Sequence, residues 1–154
     1  MKKFLLLFLL PLFALSLTGC REQTTTTTVN FELFEQIDRY QDVFTRREGT
    51  YLVYVYTDTC VNCQPIKQKL YDFASTYEGH TIYFFNAAKA TDAQSQQSAY
   101  IAKIGQTQVQ TPSLLVVVDN DFNLTVLSSY YFVGASSVVN VLDDILNGAY
   151  VPFQ

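Results

Sequence analysis

Tyr51-Leu52-Val53-Tyr54-Val55-Tyr56-Thr57-Asp58-Thr59-Cys60-Val61-Asn62-Cys63 decides how this chain folds. The first six residues are β-branched, aromatic or leucine, without polar alternation. That pattern predicts a central strand buried on both faces. Thr57-Asp58-Thr59 ends the apolar run, and two cysteines follow at a spacing of three. Ile66, Leu70, Phe73 and Tyr77 then recur on one helical face, which predicts a helix from Ile66 to Tyr77. The cysteines therefore fall between the end of a strand and the start of a helix.

That location gives the pair a chemistry. A thiol at a helix N-terminus feels the positive end of the macrodipole and free backbone N–H groups, both of which favour thiolate. Thiolate attacks a disulfide sulfur of a partner, and a second cysteine one turn away can attack the mixed disulfide so formed. Cys60 is the candidate nucleophile and Cys63 the candidate resolving thiol, with Cys60 expected to be the more exposed. Two other readings use the same pair. It can be a structural disulfide in a non-catalytic binding module, for instance in secretion or envelope assembly. It can also be the thiolate pair of a copper(I) chaperone, since soft ligands suit that ion. A tetrahedral zinc site would need more ligands than the chain offers, with three cysteines and one histidine in all. No bound cofactor and no resident metal are expected. His80 reads as a surface-loop residue.

Outward from this stretch the pattern alternates. Phe31, Phe34, Ile37, Tyr40 or Gln41, and Phe44 recur at helical spacing and predict an amphipathic helix ending near Arg47-Glu48-Gly49. Ile82 to Asn86 reads as a strand, and Ala90 to Ile104 as a helix closed by Gly105. Thr111-Pro112 precedes an apolar strand, Ser113 to Val118. A proline there can be cis, and the residue before it then offers its backbone to an extended substrate segment. Asp119-Asn120-Asp121 is a turn, with Asn123 to Phe132 as the antiparallel partner. Val133 to Ser136 leads into a last helix, Ser137 to Leu146, ended by Asn147-Gly148. Tyr130-Tyr131-Phe132 reads as sheet packing. The predicted order is α-β-α-β-α-β-β-α, an α/β architecture with parallel crossovers first and a hairpin last.

The N-terminal residues differ from the rest. Lys2 and Lys3 precede an apolar run of 14 residues, Phe4 to Leu17. That length suits a signal peptide and falls short of the roughly 20 residues a membrane-spanning helix needs. Leu17-Thr18-Gly19-Cys20 resembles the lipobox of bacterial lipoproteins. The resemblance implies cleavage after Gly19, acylation of Cys20 and an extracytoplasmic, lipid-anchored protein. The predicted organisation is a leader at 1–19, a lipidated Cys20 with a threonine-rich tether at 20–30, and one domain at 31–154. Ten basic and fourteen acidic residues give the whole chain a net charge of −4, and losing Lys2 and Lys3 makes it −6. A domain of that sign has no electrostatic footprint for nucleic acid. A hydrophobic fraction of 49% excludes global disorder.

The strand Tyr51–Tyr56, Cys60-Val61-Asn62-Cys63, the helix after it, Thr111-Pro112 before a strand, and Val133-Gly134-Ala135 before the closing helix together resemble the thioredoxin superfamily, over roughly Phe31 to Gly148. The resemblance implies a central mixed sheet flanked by helices, dithiol–disulfide exchange at Cys60 and Cys63, and a cis Pro112 whose neighbour Thr111 meets the substrate. Protein thiols and disulfides would be the partners, with a membrane electron donor or acceptor. The chain departs from the pattern in places. Tyr54 stands where thioredoxins place a buried aspartate. Thr59 replaces the usual tryptophan, and Gln64-Pro65 follows the second cysteine. With Cys20 consumed by acylation, Cys60 and Cys63 have only each other as disulfide partners.

Overall fold

A computed structural model describes residues 29–119, 121–122 and 129–153. The leader, Cys20, the threonine run and most of the predicted Asn123–Phe132 strand lie outside these residues. Five strands form one sheet in the order β1-β3-β2-β4-β5. They are β1 (Gln36–Ile37), β2 (Tyr51–Tyr56), β3 (Ile82–Asn86), β4 (Ser113–Val117) and β5 (Tyr131–Val133). β1 and β2 flank β3 in parallel, whereas β4 runs antiparallel to β2, and β5 to β4. Three helices cover the sheet: α1 (Lys67–Thr76), α2 (Gln94–Lys103) and α3 (Ala135–Leu146). None of the described helices is long and apolar enough to cross a membrane.

The period-two geometry of a strand divides the core in two. Leu52, Tyr54, Phe84, Leu114 and Val116 face Leu70 and Phe73 of α1 and Val138 and Leu142 of α3. Tyr51, Val53, Val55, Tyr83, Phe85 and Leu115 face Tyr100 of α2 and the following Ile104. Every residue of β2 is buried, which is why its sequence shows no polar alternation.

The expected helix from Phe31 to Phe44 does not form. The segment is a 3-10 turn (Phe31–Leu33), then β1, then a second 3-10 turn (Tyr40–Asp42). Phe31 packs on the α1/α3 side of the sheet, whereas Ile37, Tyr40 and Val43 pack on the α2 side. A helix carries one apolar stripe and lies on one face. This chain crosses the sheet edge, so its apolar residues serve both faces. The amide of Phe84 donates to the Glu35 carbonyl at 2.8 Å, and the Gln36 side chain donates to the carbonyls of Phe31 and Phe34. These bonds replace the helical ladder.

The other elements differ at their ends. A six-residue 3-10 segment, Val61–Ile66, precedes α1 and contains Pro65, whose missing N–H leaves one bond of that segment unmade just before the α-helix begins. The third predicted helix, Ala90 to Ile104, is shorter than expected: α2 begins at Gln94, and a separate 3-10 turn at Ala87–Lys89 precedes the predicted start. Gly105 ends α2 with φ +63, and Gly134 precedes α3 with φ +88, a backbone region that favours glycine.

Candidate functional site

β2 delivers the chain at Tyr56 to one end of the sheet, where Thr57 to Thr59 form a short loop. Cys60 and Cys63 follow and are joined as a disulfide with an S–S distance of 2.11 Å and Cα atoms 5.3 Å apart. The Cys63 amide also donates to the Cys60 carbonyl at 3.1 Å. Cys60 is 8% exposed and Cys63 2%, so Cys60 is the more open of two buried sulfurs. Val61 between them is 81% exposed. Cys60 stands at the N-cap of a 3-10 segment and Cys63 lies inside it, rather than at the start of an α-helix, which corrects the local geometry expected from the sequence.

Asp58 reaches back to the end of β3. Its carboxylate accepts from Asn86 Nδ2 at 3.0 Å and pairs with Lys89 Nζ at 3.2 Å. A cavity of about 150 Å³ opens beside the disulfide, with Cys63, Phe31, Tyr56, Asp58 and Lys67 on its wall. The inner sulfur thus borders a space that also holds a carboxylate, a phenol and an ammonium. Asn86, Lys89, Phe31 and Lys67 were not legible as site residues. A polar Asn closing an apolar strand was the only local signal.

Tyr54 lies fully buried in the same apolar cluster as both cysteines, and its hydroxyl has no hydrogen-bond partner. Burial, and secondarily the neighbouring Tyr56 hydroxyl, push its ionisation well above the ordinary tyrosine range. It stays a neutral phenol at physiological pH. The buried polar residues among those described are Asn86 and Ser113, so no buried carboxylate lies near the sulfurs.

Thr111-Pro112 is joined by a cis peptide bond immediately before β4. Ser113 pairs with Val55 on one side and Val133 on the other, and the Gly134 amide donates to the Pro112 carbonyl at 2.9 Å. The end of β2, the start of β4 and the end of β5 therefore lie at one end of the sheet. That end holds Thr111, Pro112 and the loop leading to Cys60. His80 sits at the opposite end, before β3, its ring centroid 4.5 Å from that of Phe153. No cluster of three or more His, Cys, Asp or Glu suited to a metal ion occurs among the described residues. Cys20 lies outside them.

The sequence matches no protein-family model and no curated protein sequence. Solved structures do match in shape. Mitochondrial thioredoxin 3 of Saccharomyces cerevisiae, in its oxidised form, aligns with a TM-score of 0.52 at 9% identity, covering 73% of this chain and 96% of that one. Thioredoxin f2 of Chlamydomonas reinhardtii aligns with a TM-score of 0.52 at 12% identity, covering 75% and 97%. The strand order, the crossovers and this likeness define a thioredoxin-fold protein. It carries a disulfide of Cys-x-x-Cys spacing at the end of its central strand, as the resemblance to the thioredoxin superfamily implied.

Proposed function

We propose that this protein is a membrane-anchored, extracytoplasmic thiol–disulfide oxidoreductase acting on protein substrates. The observation that carries the reading is the Cys60–Cys63 disulfide at the end of the sheet it shares with the cis Thr111-Pro112 bond. In the reducing direction, the Cys60 thiolate attacks a substrate disulfide, forms a mixed disulfide and releases one substrate thiolate. The Cys63 thiolate then attacks Cys60 Sγ. The internal disulfide re-forms, the second substrate thiolate leaves, and two electrons have passed to the substrate. The oxidising direction is the reverse, opened by a substrate thiolate at Cys60. The Thr111 backbone lines up the substrate segment. The potential of the pair against its partners sets the direction. Anchoring rests on Leu17-Thr18-Gly19-Cys20 behind Lys2, Lys3 and the apolar run.

Turnover of a disulfide-bonded peptide by the purified chain tests the chemistry. Cys60→Ser should abolish it, and Cys63→Ser should accumulate a mixed disulfide through Cys60. Mass spectrometry of the mature N-terminus should find an acylated Cys20; a free thiol there refutes the anchor. The burial of both sulfurs favours a second reading, a binding module whose disulfide is structural. Absence of turnover, together with a disulfide that strong reductants open only on unfolding, would establish that reading instead.

A further inference from the structure

Cys63 is buried, and burial disfavours the charged form of a thiol. Resolving a mixed disulfide nevertheless needs Cys63 as thiolate. Cys63 lies inside a 3-10 segment, so it does not stand at the N-terminus of an α-helix. Its amide is spent on the Cys60 carbonyl. The cavity beside the sulfur supplies what the backbone does not. Two residues on its wall carry charge, Asp58 and Lys67. Asp58 is held by Asn86 and neutralised by Lys89. Lys67, four residues after Cys63, is half-buried and makes no ion pair among the described residues. Its Nζ stands 5.8 Å from the centre of the Phe31 ring, which lies on the same wall. The other charges belong elsewhere. Glu32 lines a neighbouring cavity with Tyr56 and Lys89. On α3, which packs against the 3-10 segment, Asp143 pairs with Lys69, and Asp144 lines a separate cleft beside Tyr150. Lys67 is thus the unneutralised cation on the wall that the inner sulfur shares.

We propose that Lys67 stabilises the Cys63 thiolate across this cavity and so prepares it for the resolving step. A nearby opposite charge favours the ionised thiol, and a half-buried ammonium is screened less than one in open water. The face of the Phe31 ring attracts the cation and keeps it over the cavity. In the reducing direction, the Cys63 thiol releases its proton to solvent through the cavity. The thiolate attacks Cys60 Sγ. The Cys60–Cys63 bond forms, the bond from Cys60 to the substrate breaks, and the substrate thiolate leaves with the electron pair. Lys67 takes part in none of these bonds. It is a positioning residue that acts through the charge on Cys63.

This role rests on the proposed exchange activity, and its test needs no turnover. In the Cys60→Ser chain, the rate of iodoacetamide alkylation at Cys63, located by mass spectrometry and followed against pH, gives the midpoint of that thiol. Access changes the size of the rate, whereas charge moves the midpoint. Lys67→Met removes the charge, keeps the stem, and should raise the midpoint by about one pH unit. Lys67→Gln should do the same, and it decides if Lys67→Met does not fold. Lys67→Arg keeps the charge and should leave the midpoint within about 0.3 unit of the parent. With both cysteines present, Lys67→Met should release peptide from a mixed disulfide at Cys60 severalfold more slowly at neutral pH. An unchanged midpoint in the folded, uncharged variants overturns the role and leaves the exchange activity standing. So does an equal rise in Lys67→Arg, because the effect then belongs to packing on Phe31. Absence of turnover in the unsubstituted chain overturns the exchange reading, and the midpoint still decides whether Lys67 holds the thiolate.

Discussion

Asn86 Nδ2 donates to Asp58 Oδ1 at 3.0 Å, tying the loop before the disulfide to the end of β3. The same side chain, through Oδ1, accepts from the Ala88 amide at 3.2 Å and caps the turn that follows. One side chain thus holds two loops at the end of the sheet that carries Cys60. Asn86→Ala removes both bonds and should cost about 2 kcal/mol, measured by urea unfolding of the oxidised protein. Lys89→Ala removes an exposed ion pair and should cost less than about 0.5 kcal/mol. Equal losses in the two variants would contradict this account.

Phe31 stacks on Phe84 at 4.5 Å, meets Tyr54 and Tyr56 edge-on, and lines the cavity beside Cys63. Phe31→Ala should destabilise the fold by about 3 kcal/mol through lost transfer energy and the void left behind. It should also widen access to Cys63, read as faster alkylation of the reduced chain. Leu33, 72% exposed two residues on, supplies the control. Leu33→Ala should stay within about 0.5 kcal/mol of the parent.

The Tyr54 hydroxyl is buried without a partner. Tyr54→Phe removes an unsatisfied polar atom and keeps the ring stack, so it should stabilise the protein by about 1 kcal/mol. A loss of similar size would mean that the hydroxyl is satisfied in solution.

Burial raises the ionisation of Tyr51, Tyr54, Tyr100 and Tyr150 above the ordinary tyrosine value near 10. Above pH 10 the unfolded chain releases these protons while the folded chain keeps them. The stabilisation is complete below pH 10 and is lost progressively as pH climbs toward the folded values. Stability should therefore fall steeply in alkali. Absorbance at about 295 nm should show the exposed tyrosines ionising near pH 10 and the buried ones only with unfolding. A single smooth titration of all the tyrosines near 10 in a folded chain would contradict the burial.

Closing the short Cys60–Cys63 loop restricts the unfolded chain. The loop-entropy relation puts the oxidised form about 2 kcal/mol above the reduced form in stability. Urea unfolding with and without a thiol reductant measures the difference.

Legibility along the chain followed how local each determinant was. β2 and β3 were readable because burial on both faces writes a continuous apolar run. The place of the cysteine pair and its closing as a disulfide were readable because the two residues stand three apart shortly after the apolar run of β2. Phe31 to Phe44 misled because apolar residues three or four apart suit a helix, and equally suit a chain crossing from one sheet face to the other. The Asn86–Asp58 bond spans 28 positions, and neither residue announces it.

Hydrophobic pattern set the buried strands β2, β3 and β4 and the place of the cysteine pair after β2, because these depend on neighbours a few residues apart. Which polar atoms find partners depends on what packs where once the sheet closes. That closure leaves the Tyr54 hydroxyl unpaired in the core and gives Asp58 its hold on β3. Such outcomes arise from contacts between distant segments, whose cost and benefit exist only after the intervening chain is ordered.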